Sequence, residues 1–164
     1  MNTGQMILTI GAMILLSAII LRVNNNFLST NEVMDESKFG VLAVSLATSI
    51  IEEANNKSFD QVTKGNPIDD PNLLTPVNSL GPDGGETYET YNDFDDFNGY
   101  TKDVTNLPSA TFHISCKVNY INPVAPDIVS TNRTWNKKIT VSVSSPFSKD
   151  TVQLSSVFSY WYFR

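Results

Sequence analysis

Residues 1–23 read MNTGQMILTIGAMILLSAIILRV, and no charged residue occurs from Met6 to Leu21. The reading of this run decides the fold. As a helix it spans ~24 Å at 1.5 Å per residue. That is short of a ~30 Å hydrocarbon core by an amount that snorkelling ends can cover. A helix in a soluble core is normally apolar along one stripe, whereas this one is apolar all round. A cleavable secretory signal starts with basic residues and ends at a small-x-small site. Here no Lys or Arg precedes the run, and Arg22 and then Asn24, Asn25 and Asn26 follow it. No Cys stands behind it to carry a lipid. The expectation is a retained membrane helix. The positive-inside rule weighs only the terminal amine against Arg22 and does not orient it. The remainder is rich in Thr, Ser, Asn and Asp, as in many secreted domains.

Helical periodicity resumes in DESKFGVLAVSLATSIIEEANNKSFD, residues 35–60. Phe39, Ala43, Leu46, Ile50 and Ala54 recur at steps of three and four, flanked by Leu42 and Ala47, while Glu36, Lys38, Glu52 and Glu53 lie off that stripe. The pattern predicts an amphipathic helix. It stops at Asn55-Asn56, before a Phe59 expected to tuck under the domain. Residues 5–55 together make one helix of ~75 Å. Asn24–Asn26 and Gly40, poor helix formers, are its expected points of bending.

Charge separates the chain into thirds. Residues 1–63 carry 3 basic and 6 acidic side chains, residues 64–103 carry 2 and 9, and residues 104–164 carry 6 and 2. The net charge of −6 argues against a nucleic-acid partner, which phosphate would require to be basic. The acidic middle of one copy is suited to face the basic last third of another, or simply to stay solvated. The single Cys116 allows no intrachain disulfide. The single His113 argues against a His-based metal site or a Ser-His-Asp triad, and its alternation with apolar neighbours places it on the outer face of a strand.

Residues 61–110 hold most of the turn chemistry: Gly65-Asn66-Pro67, Asp70-Pro71, Gly81-Pro82-Asp83-Gly84-Gly85 and Leu107-Pro108. They read as a long irregular connection with room for short strands or turns. Then alternation begins. Phe112, Ile114, Cys116, Val118 and Tyr120 point one way in the first run. Trp135, Ile139, Val141 and Val143 do so in the second, where Lys137 spoils the inner row near one end. The third run is TVQLSSVFSYWYFR, residues 151–164, with a bulge expected at Ser155-Ser156 before Val157–Phe163. Three such strands predict an antiparallel sheet with one covered face, and the amphipathic half of the helix is the cover. Cys116 falls in the inward row and reads as a small buried apolar residue. The fold class is α+β.

A long N-terminal helix, apolar then amphipathic, followed by an irregular loop and an antiparallel sheet, resembles the type IV pilin and type II secretion pseudopilin family. The phrase NDFDDFNGYT, residues 92–101, resembles an Asp-Asp-aromatic-x-Gly-aromatic phrase of some minor pilins, including those of the mannose-sensitive haemagglutinin pilus. The resemblance divides the chain into a membrane or filament-core helix at 1–23, its amphipathic continuation at 24–56, an irregular acidic connection at 57–110 and an antiparallel sheet at 111–164. It implies a structural subunit rather than an enzyme, polymerising with itself or with similar subunits through Gln5, Met6, Ile7, Leu8, Ile10, Gly11, Met13, Ile14, Leu15, Leu16, Ile19 and Ile20. It also implies storage in inner-membrane lipid, handling by pilus assembly machinery, and a final place in an extracellular or periplasmic filament. The family carries a Glu at the fifth mature position. Here Gln5 stands there if Met1 is the mature start, and Thr9 if the chain is cut after Gly4. The missing Glu points to a minor or divergent member. Gln5 can still hydrogen-bond a neighbour, at less cost of burial than a charge. Gly4, Gly11, Ala12, Ser17 and Ala18 permit close helix approach. The alternative is a single-pass protein that displays a β-rich binding or sensing domain and never assembles.

No cofactor is implied. Asp93, Asp95 and Asp96 lie within four positions, with Asn98 nearby, and such hard oxygen ligands suit Ca²⁺. The spacing does not follow the EF-hand template. The competing reading is an Asx-rich turn whose Phe94, Phe97 and Tyr100 plug into the body. These loop carboxylates do not supply the separated pair in a cleft that a glycosidase needs, and no nucleophile–base pair stands out. Asn56-Lys57-Ser58 and Asn132-Arg133-Thr134 match the glycosylation pattern. The Tyr160–Phe163 run reads as an inner strand or a binding patch.

Overall fold

The computed structural model describes residues 2–65, 67–107 and 110–160. The expected turn residues Asn66 and Pro108, the candidate start Met1, and Trp161, Tyr162 and Phe163 lie outside the described residues. The chain divides into two compact units, Met1–Lys38 and Phe39–Arg164.

One helix, α1, runs from Thr3 to Asn55. Asn24–Asn26 and Gly40 lie inside it. Their propensity deficits, roughly 0.5–1 kcal/mol each, are small beside the cooperativity of so long a helix, and no Pro interrupts it. In the second unit α1 buries Ala43, Ala47, Ile50 and Ala54, with Phe39, Leu42, Leu46 and Ile51 packed beside them. Three of the four fully buried positions are alanines, which lets the helix lie close on the strands. Burial begins at Phe39: residues 24–38, read from the sequence as part of the amphipathic continuation, are helical but exposed. The helix ends as expected at Asn55, whose side-chain amide donates to Ser156 Oγ at 3.4 Å.

The sheet has five antiparallel strands: β1 (Thr101–Val104), β2 (Phe112–Asn122), β3 (Ala125–Val129), β4 (Asn136–Ser144) and β5 (Val152–Ser159). The path is β1-β2-β4-β5, with β3 paired to the end of β2. The inner row of β2 is the expected one, Phe112, Ile114, Cys116, Val118 and Tyr120, all buried. His113 is exposed on the outer face, its Nδ1 2.6 Å from Asp103 Oδ1. In β4 the inner row is Lys137, Ile139, Val141 and Val143. Lys137 does not spoil the row; it occupies an inward position and is fully buried.

Two sequence expectations, the strand number and the bulge at Ser155-Ser156, are corrected. β1 and β3 add two strands to the three anticipated, both too short for a clear alternation, β1 being mostly polar and β3 having Pro126 and Asp127 inside it. The irregular connection at 57–110 holds, among its described residues, five short 3₁₀ turns, Gln61–Thr63, Pro71–Leu73, Val77–Ser79, Tyr88–Thr90 and Asp95–Phe97, followed by β1. Ser155 and Ser156 carry no bulge: they pair in continuous register with Thr140 and Ile139. Ser156 instead keeps the inward phase with a small side chain where the end of α1 approaches. The irregularity falls in the β2–β3 pairing, between Ile121 and Asn122.

Ala47 is wholly buried. Ala47→Leu inserts bulk into this close contact and is expected to destabilise the fold by about 1–3 kcal/mol. Val41→Ser, at an exposed position of the same helix, should change stability by less than ~0.5 kcal/mol. Urea denaturation followed by tryptophan fluorescence measures both.

Candidate functional site

Two features stand out, one in each unit. In the first unit every described residue from Asn2 to Lys38 is exposed. The apolar stretch keeps that exposure on all faces: Ile7 is 72 %, Met13 70 % and Leu15 66 % exposed, although they point in different directions around the helix. Gln5, Met6, Leu8, Ile10, Gly11, Ile14, Leu16, Ile19 and Ile20 share the stretch and are exposed as well. This helix is long and apolar enough to cross a membrane, and none of its most apolar window is buried. The two hydroxyls of the Met6–Leu21 run are satisfied within the helix. Thr9 donates to Met6 O and Ser17 to Met13 O, both at 2.9 Å. Apolar surroundings therefore leave no hydroxyl hydrogen unpaired there. Gly4 and Gly11 have open space where a Cβ would stand, so another backbone can approach closely.

The second feature is a buried charge cluster. Lys137 projects inward from β4 and meets the chain that follows α1. Its Nζ donates to Phe59 O and to Asp60 Oδ2, each at 2.8 Å, and also to Asp95 Oδ1. The side chains of Lys137 and Asp60 are 0 % exposed and that of Asp95 2 %. The Phe59 and Tyr120 rings flank the ammonium, with centroids at 4.7 and 5.3 Å. Asp60 is held in turn by Thr75, whose N–H and hydroxyl donate to it at 2.9 and 3.1 Å, and by the Tyr120 hydroxyl at 3.3 Å. One ammonium thus joins β4, the segment after the helix and the acidic turn.

The acidic phrase is placed by backbone bonds. Ser58 and Asp93 form a parallel bridge, in which Ser58 N donates to Asn92 O at 3.3 Å and Phe94 N donates to Ser58 O at 2.9 Å. Gly99, at φ +82°, turns the chain so that it continues along β2, its N–H donating to Cys116 O at 3.1 Å. Asn98 donates to Leu80 O at 2.9 Å and accepts from Val118 N at 3.0 Å. Phe94, Phe97 and Tyr100 are buried in the core. Tyr88 stacks on Tyr100 with centroids 4.7 Å apart, and its hydroxyl donates to Glu53 on α1.

The residues anticipated as calcium ligands are thereby engaged elsewhere. Asp96 accepts from Asn92 N and Asp93 N, Asp93 accepts from Asp95 N, Asp95 faces Lys137, and Asn98 bridges two backbone segments. Among the described residues no group of three His, Cys, Asp or Glu is arranged to hold a metal ion. The geometry is that of the Asx-rich turn. Burial, and secondarily the carboxylates of Asp95 and Asp96, pushes Asp93 up to about 8. Burial also raises Asp95, against the pull of Lys137. The Cys116 thiol, raised by burial to about 12, is a packed side chain rather than a nucleophile.

Sequence reasoning singled out neither Asp60 nor the partnership of Lys137. The signal for Lys137 was its inward phase in an alternating strand. No comparable signal marked Asp60, whose partners are brought from far along the chain. Compared with protein families, characterised proteins and solved structures, the chain shows no match.

Lys137→Met leaves buried carboxylates without their cation and is expected to cost about 3–5 kcal/mol in chemical denaturation. Stability should also depend on pH through Asp93. Its folded value lies above its ordinary value of 3.8. Between the two, the native chain holds a proton that the unfolded chain has released. The contribution is complete below the ordinary value and is lost as pH rises through about 8. The denaturation midpoint is expected to fall as pH is raised across that window, and less so in Asp93→Asn.

Proposed function

We propose that this chain is a structural subunit of a type IV pilus-like filament that polymerises through its apolar N-terminal helix. The observation that carries this reading is an α1 whose N-terminal part exposes large apolar side chains on every face, while its C-terminal part packs one face on a β-sheet. Exposed apolar surface of this extent marks an interaction site. A lipid bilayer satisfies it in the monomer, and a bundle of like helices satisfies it in the polymer. Both surroundings are apolar, so transfer costs little hydrophobic energy. Helix packing, helped by Gly4, Gly11, Ala12, Ser17 and Ala18, then sets the register. The subunit waits in the inner membrane, is extracted by pilus assembly machinery, and ends in an extracellular or periplasmic filament. The sheet domain, with its acidic turn turned inward, forms the exposed coat.

Electron microscopy of sheared surface material, with antibody against the sheet domain, tests the reading. Labelled filaments are expected. Leu15→Asp places a charge near the middle of the apolar run, at a cost of about 2.5–3.5 kcal/mol for membrane insertion, and should abolish filaments while the sheet domain keeps its circular dichroism. Chain recovered only as membrane-bound monomer would instead make it a single-pass display protein.

A further inference from the structure

We propose that Lys137 and Asp95 become joined through their side chains by an amide bond, formed by the folded chain itself. Three observations meet at one point. The Lys137 amine contacts Asp95 Oδ1, with both side chains shut away from water. A second carboxylate, Asp60, lies 2.8 Å from the same nitrogen. The Phe59 carbonyl, at 2.8 Å, takes the third contact of the nitrogen, and the Phe59 and Tyr120 rings flank it. Condensation of an amine with a carboxylic acid is disfavoured in water because both partners are ionised and well hydrated. Burial reverses that preference, since an ammonium and a carboxylate each lose their hydration there. Fixed contact replaces a bimolecular encounter.

The step balances without an outside reagent. The Lys137 ammonium carries three protons. One passes to a carboxylate oxygen of Asp95, giving the neutral acid and the free amine. The nitrogen lone pair then attacks Asp95 Cγ, forming the C–N bond. A second proton moves, by way of the Asp60 carboxylate, to the departing hydroxyl, and the C–O bond breaks to release one water. The third proton remains as the amide N–H, which donates to Asp60. One positive and one negative charge vanish from the core together. Asp60, held by Thr75 and Tyr120, acts as the proton carrier and is unchanged at the end.

The bond would close a loop from the acidic turn to β4 across 42 positions of sequence. A cross-link of this kind restricts the unfolded chain as a disulfide does, in a protein whose one cysteine cannot form such a bridge within the chain. The inference does not depend on filament assembly.

Tryptic mapping of the full-length wild-type chain by tandem mass spectrometry decides it. The expected product is peptide 65–102 joined to peptide 134–138, lighter than their sum by one water and uncut after Lys137. Recovery of the two peptides separately, with complete cleavage after Lys137, overturns the proposal and leaves an ion pair. Asp95→Ala should abolish the joined species; its persistence there would mean that Asp95 is not the acyl partner and would equally overturn it. Asp60→Asn, with folding followed by circular dichroism, should lower the joined fraction at least several-fold in freshly purified protein. An unchanged fraction would overturn the role of Asp60.

Discussion

The sheet unit depends on one desolvated ammonium. Lys137 lies at the end of an otherwise aliphatic row, where an unpaired charge would be prohibitive. It is tolerated because Phe59 O, Asp60 and Asp95 occupy its three donors. The same requirement fixes the chain around it. Phe59 and Asp60 must follow closely on the end of α1, and the turn at Asp95–Phe97 must fold under the sheet. Of four buried aspartates, Asp60 and Asp95 meet Lys137, while Asp93 and Asp96 accept from backbone N–H groups. A long connection with little regular structure thereby acquires one arrangement.

A single helix does two physically different things. From Phe39 onward it is a component of a core, with alanines that bring it close to the strands. Before Lys38 it has no core to join, and its apolar surface demands surroundings from outside the subunit. Under the proposed function, the first part would change its surroundings without disturbing the part that holds the sheet. The aromatic group of Tyr88, Tyr91, Phe97 and Tyr100 strengthens the latter, and Tyr88 reaches back to Glu53 on the helix.

Residue identity revealed different features to different degrees. The inner rows of β2 and β4 and the buried stripe of α1 follow from period-two and period-three-to-four patterns, which are local. Thr101–Val104 and Ala125–Val129 escaped because strands of four and five residues are too short to show that pattern, and both pair with β2. Ser155-Ser156 suggested a bulge, yet the pair stays in register because small side chains suit the inward place opposite Asn55. The acidic phrase presented two local readings, ligand cluster and Asx turn. In the folded chain Asp93 accepts from Asp95 N, as in an Asx turn, and Asp95 meets the distant Lys137.

By itself the sequence determined where the helix is apolar all round, where it becomes one-sided, and which strand residues alternate inward, because periodicity is written in neighbouring residues. Only the tertiary structure decided that Lys137 is an inward, fully paired charge and that the acidic turn is buried around it. The physical reason is that a buried ion is stable only when partners from elsewhere in the chain, here 77 and 42 positions away, arrive at the same point.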